Sequence, residues 1–241
     1  MSAGAVLVTG GSSGIGAAMA ATVAATGRRV GILSRRPPSA GDWVKADLTD
    51  ASRTTTAIRR WVDGLDRPVD GLILSAVSYG RGGRHPVART PLAEWDEVLA
   101  VNLRAQYVAV AAVLPDLLAR PRALVLSVSS VAALEPAPGR AHYAAAKAGA
   151  LAFFRALAEE LRDTGVSVVQ VLPRNQVATP GLRARRPPGF SFAGYDPPQV
   201  FDPVVRELLA GLGCGYAGAV LAVGSDGRWA AIDQPSAKAA Y

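Results

Sequence analysis

Ala5-Val6-Leu7-Val8-Thr9-Gly10-Gly11-Ser12-Ser13-Gly14-Ile15-Gly16 is the stretch on which the reading of this chain turns. An apolar run enters a glycine-rich turn directly, and Ile15–Ala25 continues with the alanine-rich spacing of a helix. Glycines in such a turn let the backbone approach a pyrophosphate with no Cβ in the way. The exposed amides and dipole of the helix N-terminus favour the negative charge. A glycine cluster alone is also found in ordinary turns. A strand, a turn and a helix in this order point to dinucleotide binding.

Outward from the turn, apolar runs recur at Arg29–Ser34, Gly71–Ala76, Ala123–Ser127, Val166–Leu172 and Ala219–Val223. They are continuous rather than alternating, as expected of strands buried on both faces. Between them lie helical stretches at Ala51–Leu65, Leu92–Leu118, Ala141–Arg162 and Pro203–Leu212. Strand alternating with helix predicts an α/β fold, a doubly wound parallel sheet in three α/β/α layers. With 241 residues, half of them hydrophobic, and no repeat or linker, residues 1–241 are expected to form a single domain. Two segments break the rhythm: Arg81–Pro91, and the Pro-, Gly- and aromatic-rich stretch near 179–198, which is expected to be a substrate lid.

No stretch holds the roughly twenty uninterrupted apolar residues of a membrane span, and no leader precedes the first strand, so a soluble, cytoplasmic protein without a membrane partner is expected. The single cysteine, Cys214, excludes an internal disulfide and is expected to pack as a small hydrophobe. His85 and His142, the only histidines, lie far apart, and no metal site is expected. The formal charge of +7 comes from basic residues spread along the chain, which argues against nucleic-acid binding. Almost all are arginines, lysine standing only at Lys45, Lys147 and Lys238.

That scarcity makes one lysine informative. In Ala141-His142-Tyr143-Ala144-Ala145-Ala146-Lys147, Tyr143 and Lys147 are four apart, one turn along a helix face. Carbonyl reduction needs a proton donor for oxygen, and a phenol, whose ordinary pKa is near 10, works reversibly near neutrality when a cation stabilises its ionised form. Ser130 lies thirteen residues upstream, just beyond the strand Ala123–Ser127, at the sheet edge where such folds bind ligands. His142 points off the Tyr143 face and is expected to be a neighbour only.

Thr-Gly-x-x-x-Gly-x-Gly together with the Ser, Tyr and Lys set resembles the main single-domain branch of the short-chain dehydrogenase/reductase family, over nearly the whole chain. The resemblance implies a Rossmann-type sheet, with Tyr143 as acid/base. Lys147 would lower its pKa and hold the nicotinamide ribose, Ser130 would bind the substrate oxygen, and Asn102 would support a water relay. It places the cofactor on Thr9, Gly10, Ser12, Ser13, Gly14, Ile15 and Gly16, on Ser34, Arg35, Arg36, Asp47 and Leu48, on Ser75 and Ala76, on Tyr143 and Lys147, and on Pro173 and Thr179. Where the second strand ends, Ser34-Arg35-Arg36 offers cations to a 2′-phosphate and no carboxylate to a ribose diol, so NADP(H) is favoured over NAD(H). Solvated loop arginines are the plainer alternative there. Asp47 equally suits an adenine contact or a helix cap.

The expected activity is NADPH-dependent reduction of a ketone or aldehyde, or the reverse alcohol oxidation, in the manner of a biosynthetic tailoring ketoreductase. A cofactor-binding regulator that has lost turnover is the alternative, motivated by two departures from the family. Ser75-Ala76-Val77 stands where Asn-Ala-Gly is usual, and Pro173-Arg174 where Pro-Gly is usual. Arg174 either turns outward or brings a cation to the site. Arg183, Arg185 and Arg186 beside Phe190, Phe192 and Tyr195 make either an aromatic pocket with a basic rim, suited to an anionic or carrier-tethered substrate, or a solvated loop. The resemblance also implies a homodimer or homotetramer, paired through the helices of Asn102 and Tyr143. The tail Arg228–Tyr241 either reaches a neighbouring subunit or is disordered.

Overall fold

The computed structural model describes residues 3–81 and 84–233. β1 (Ala5–Thr9) is wholly buried, with Val6 and Val8 facing one side of the sheet and Leu7 the other. The same division runs through β2 (Arg29–Ser34), β4 (Val69–Leu74), β5 (Ala123–Val128) and β6 (Val166–Pro173), which is why their sequences read as unbroken apolar runs.

One core, built on Met19, Val23, Phe201, Val204 and Leu208, packs α1 (Gly14–Ala24) and α7 (Asp202–Gly211) on one face. The other, built on Ile58, Val113, Leu117 and Phe154, packs α2 (Ala51–Asp63), α4 (Ala105–Leu118) and α5 (Ala141–Glu160) on the opposite face. The result is a three-layer α/β/α sandwich around eight strands in the order β3-β2-β1-β4-β5-β6-β7-β8.

The pairs from β3 (Asp42–Lys45) to β7 (Val220–Val223) are parallel, and β8 (Trp229–Asp233) runs antiparallel to β7. Strand order reverses between β1 and β4, and the crevice at a reversal is where such sheets take ligands. Neither edge strand is legible as an apolar run. β3 has four residues with only Val44 buried, and β8 lies in the stretch Arg228–Tyr241, expected either to reach a neighbouring subunit or to be disordered. Residues 234–241 fall outside the described region. β4 begins earlier than expected because Asp70, paired with Arg28 at 3.3 Å, hides the strand start. It ends earlier because Ser75 and Ala76 leave the sheet.

α3 (Leu92–Leu99) runs into α4 through a wider π turn at Ala100–Arg104. The 27-residue helix Leu92–Leu118 is long and apolar enough on average to cross a bilayer. Half of its most apolar window is buried, and α4 packs on β4, β5 and α2 as a core helix does. Cys214 departs from its expected packing. It is exposed, because Gly213 and Gly215, both at positive φ, turn the chain outward after α7.

Candidate active site

The glycine turn is tight for a steric reason. Gly10 has φ +71°, and a Cβ there would lie 2.6 Å from the Ala76 Cα; a Cβ on Gly16 would lie 2.5 Å from the Gly10 carbonyl oxygen. Thr9 does not line the cleft as expected. It is buried, and its hydroxyl accepts the Ala76 N–H at 3.3 Å, tying the ends of β1 and β4 together. Ser13 occupies the position before α1 without capping it, so the first-turn amides face outward.

Above the turn lies a cleft of about 1140 Å³. Gly10, Ser12, Ser13, Gly14, Ile15 and Gly16 line it, as do Ser75 and Ala76. On the β2 side it is lined by Ser34, Arg35, Arg36, Asp47 and Leu48, and on the β6 side by Pro173 and Thr179. Asp50, not Asp47, caps α2. Asp47 accepts the Thr49 N–H at 3.0 Å and its hydroxyl at 2.9 Å. The N–H first, then the hydroxyl and the charge of Arg35, hold its carboxyl below the usual range against the opposing effect of burial. Thr179 caps the short helix α6 (Pro180–Arg183) by accepting the Leu182 N–H, and its side chain packs on Gly14.

Ser130, Tyr143 and Lys147 meet in the same cleft. Ser130 leaves β5 and accepts the Ala132 N–H at 3.2 Å, while Tyr143 and Lys147 share one face of the first turns of α5. Lys147 is 3% exposed; its Nζ donates to the Val128 carbonyl at 2.8 Å, and burial brings its pKa down to about 8. Tyr143 is 5% exposed, and burial first, then the neighbouring Tyr79, push its phenol well above the ordinary value. The groups that pull it back down are Ser130, through a hydrogen bond, and Arg140, through its charge. Lys147, with its ammonium on the Val128 carbonyl, lines the same cleft.

Asn102 also departs from expectation. It sits in the π turn, fully buried and outside the cleft lining. Its Nδ2 donates to the Ser78 carbonyl at 2.7 Å and the Val98 carbonyl at 2.8 Å, and its Oδ1 accepts the Ser78 N–H at 3.3 Å. The Asn102 carbonyl accepts from Gln106 Nε2 at 2.6 Å, and Gln106 Oε1 accepts from Ser127 of β5 at 3.1 Å. Asn102 therefore anchors the loop after β4 rather than reaching into the site.

That loop carries Tyr79, which the sequence reading missed. Its ring stacks on Tyr143 with centroids 4.7 Å apart and planes at 27°. Arg185 lies over the Tyr79 ring at 4.1 Å and Arg140 at 5.5 Å. The available signal was position: an aromatic residue two places beyond Val77, in a loop at the carboxyl edge of the sheet. Val77 is 45% exposed and lines the cleft, and Arg174 also lines it rather than turning away.

The segment read as a lid is closed at its base. Ala178 N–H donates to Asp196 O and Asp196 N–H to Gln176 O, both at 2.8 Å. Phe190, Phe192 and Tyr195 pack edge to face on one another, with Arg183 over Phe192 at 4.3 Å and Arg186 over Phe190 at 4.8 Å. Phe190, Phe192 and Arg183 thus pack on one another at the lid's surface and lie outside the cleft lining, and of this set Arg185, Arg186 and Tyr195 line the cleft. His142 lies apart from the chemistry, buried with Nε2 3.5 Å from Glu94.

A family model described as short chain dehydrogenase matches residues 4–187. The chain belongs to that family. It is 32% identical to a 3-oxoacyl-[acyl-carrier-protein] reductase of Synechocystis sp., over 69% of this chain and 72% of the relative. To a 2,5-dichloro-2,5-cyclohexadiene-1,4-diol dehydrogenase of Sphingobium indicum it is 30% identical, over 69% and 70%. A dehydrogenase/reductase from Sinorhizobium meliloti superposes with a TM-score of 0.78 at 28% identity, covering 95% of this chain and 96% of that one. As a short-chain dehydrogenase the protein is an oxidoreductase of CH–OH and C=O groups in small molecules, served by a nicotinamide cofactor. The residues present fit that cofactor. The glycine turn leaves space that a Cβ would fill, helix amides face the pyrophosphate position, and a cleft runs from Arg35 to Lys147.

Proposed function

We propose that this short-chain dehydrogenase is an NADPH-dependent reductase of ketones or aldehydes, running in reverse as an alcohol dehydrogenase, with a tailoring role in biosynthesis. The observation that carries the reading is the Ser130, Tyr143 and Lys147 group in one cleft with the glycine turn. When bound, the nicotinamide supplies or accepts the hydride at the substrate carbon.

The chain's residues handle the oxygen. Ser130 donates to the carbonyl oxygen and orients it, and the Tyr143 hydroxyl gives its proton to that oxygen as negative charge develops. Lys147, held on the Val128 carbonyl, would hold the nicotinamide ribose and supply positive charge to the site. Exposed Arg35 and Arg36 at the end of β2 support a 2′-phosphate and hence NADP(H) over NAD(H).

The substrate is a small carbonyl compound or alcohol, free or tethered to a carrier as the printed name of the Synechocystis relative suggests. Homodimer or homotetramer assembly through α4 and α5 is supported by Tyr107, 58% exposed, standing edge-on to Phe153. The cover of Tyr79 and Arg185 over Tyr143 favours a second reading, a cofactor-binding protein without turnover. A carbonyl panel followed by NADPH oxidation separates the two. Turnover supports the reductase, and tight NADPH binding with no turnover across the panel supports the other.

A further inference from the structure

Three arginines from three separate segments line the cleft that holds Tyr143. Arg140 immediately precedes α5, Arg84 comes from the loop after β4, and Arg185 descends from the lid; all three line the cleft. The loop of Arg84 is fixed to the start of α5. The His85 N–H donates to the Gly139 carbonyl at 3.0 Å, and Gly139 packs so closely that a Cβ there would lie 3.0 Å from the Arg84 Cβ. Arg185 and Arg140 both hold the Tyr79 ring, which in turn lies on Tyr143.

Among the described residues, no ion pair joins Arg84, Arg140 or Arg185 to a carboxylate. The Arg140 Nε is shut off from solvent with no hydrogen-bond partner among the described residues. Burial and the charges of Arg84 and Arg185 lower its pKa, and the influences that oppose them are the phenols Tyr79 and Tyr143, not carboxylates. Of the acids lining the cleft, Asp47 lies at the β2 side, held by Thr49. Glu97 accepts from Ser78 at 3.2 Å and faces Arg81 at 3.4 Å, and Asp96 is its neighbour on α3.

Arg84 and Arg185 are exposed and Arg140 is half-buried, so their like charges weigh most on Arg140, and a bound anion would relieve them through charge-assisted, bidentate bonds. The Arg35 and Arg36 pair follows β2, whereas Arg84, Arg140 and Arg185 follow β4, β5 and β6, on the other side of β1 in the sheet.

We propose that Arg84, Arg140 and Arg185 form a substrate oxyanion site, and that the substrate carries a carboxylate or similar oxyanion within a few bonds of the carbonyl reduced at Tyr143. This rests on the reductase reading above and deepens it. Arg183, stacked on Phe192 and outside the cleft lining, takes no part, and Arg186, which lines the cleft, is held over Phe190 at 4.8 Å. Tyr79 serves the site as the aromatic plate that holds two of the guanidinium groups in place.

The test compares acetoacetate and acetonylphosphonate with the neutral methyl acetoacetate, using the NADPH-loaded full chain. Either anion is expected to exceed the ester in kcat/KM by about tenfold or more, and Arg140→Gln and Arg185→Gln are each expected to bring that ratio toward one. Circular dichroism of each variant confirms that the fold is retained, and the two substitutions lie on different elements. Equal kcat/KM for anions and ester in the wild type overturns the oxyanion site while leaving the reductase intact. If no probe turns over, titration calorimetry decides. Anion binding by the wild type that Arg140→Gln loses upholds the site and fails the reductase reading, whereas no binding, or binding unchanged in the variant, overturns the site.

Discussion

Tyr79 stacks on Tyr143 with ring centroids 4.7 Å apart, so the aromatic that covers the catalytic phenol is also one of the groups that set its acidity. Burial and Tyr79 raise the phenol's pKa, and the Ser130 hydrogen bond lowers it. A raised pKa keeps the proton donor loaded for reduction at neutral pH and withholds the base needed for alcohol oxidation. The oxidative rate is therefore expected to climb with pH into the alkaline range. Tyr79→Phe, which keeps the stack and removes the second hydroxyl, shifts that climb to lower pH. Ser130→Ala shifts it to higher pH and lowers kcat. Matched pH–rate profiles check both, and shifts of the same sign would contradict the assignment.

Asn102 is expected to matter for the loop that carries Tyr79 more than for proton movement. It is fully buried and its side chain makes three hydrogen bonds, two of them to Ser78. Asn102→Ala leaves the Ser78 amide and two carbonyls without those partners and should cost about 2–3 kcal/mol in urea unfolding. Loss of activity with unchanged stability would restore the water-relay role.

Lys147 gives a stability signature with a defined sign. Its folded pKa is about 8, against 10.5 for an ordinary lysine, so between those values the unfolded chain binds more protons than the folded one. The burial penalty is complete below pH 8 and is relieved as pH rises toward 10.5, a span on the order of 3 kcal/mol. Tyr143, with its raised pKa, works in the opposite direction only above its unfolded value near 10. Unfolding measured from pH 8 to 9.5 should gain stability in the wild type relative to Lys147→Met. Parallel curves would remove Lys147 as the source.

If the Arg35 guanidinium holds the 2′-phosphate as proposed, Arg35→Ala should raise the KM for NADPH by about tenfold or more and leave NADH nearly unchanged. Initial-rate kinetics with both cofactors reads this directly. Equal effects would place Arg35 in the solvent.

The central strands, the glycine turn and the Tyr143–Lys147 helix were legible because each writes a local pattern: continuous apolar runs, glycines after a strand, and a four-residue spacing. The edge strands β3 and β8 were not, since one face of each meets water and little apolar sequence is needed. The same limit applied in the site. Tyr79, Arg84 and Arg140 come together only through tertiary contacts, and nothing near Arg140 in sequence announces Arg185. The lid arginines were visible as a group, but which of them face the cleft depends on the packing of Phe190, Phe192 and Tyr195. Asn102 was found by its residue type, but its part in holding the loop after β4 was not legible, because its partners Ser78 and Val98 are set by the π turn.

The account stands most directly on Tyr143 as the proton donor. Tyr143→Phe keeps the ring, the stack with Tyr79 and the burial, and removes only the hydroxyl. Single-turnover oxidation of bound NADPH by a carbonyl substrate should slow by about a hundredfold or more in the variant, with NADPH affinity unchanged. Turnover that survives the substitution at the wild-type rate would contradict it.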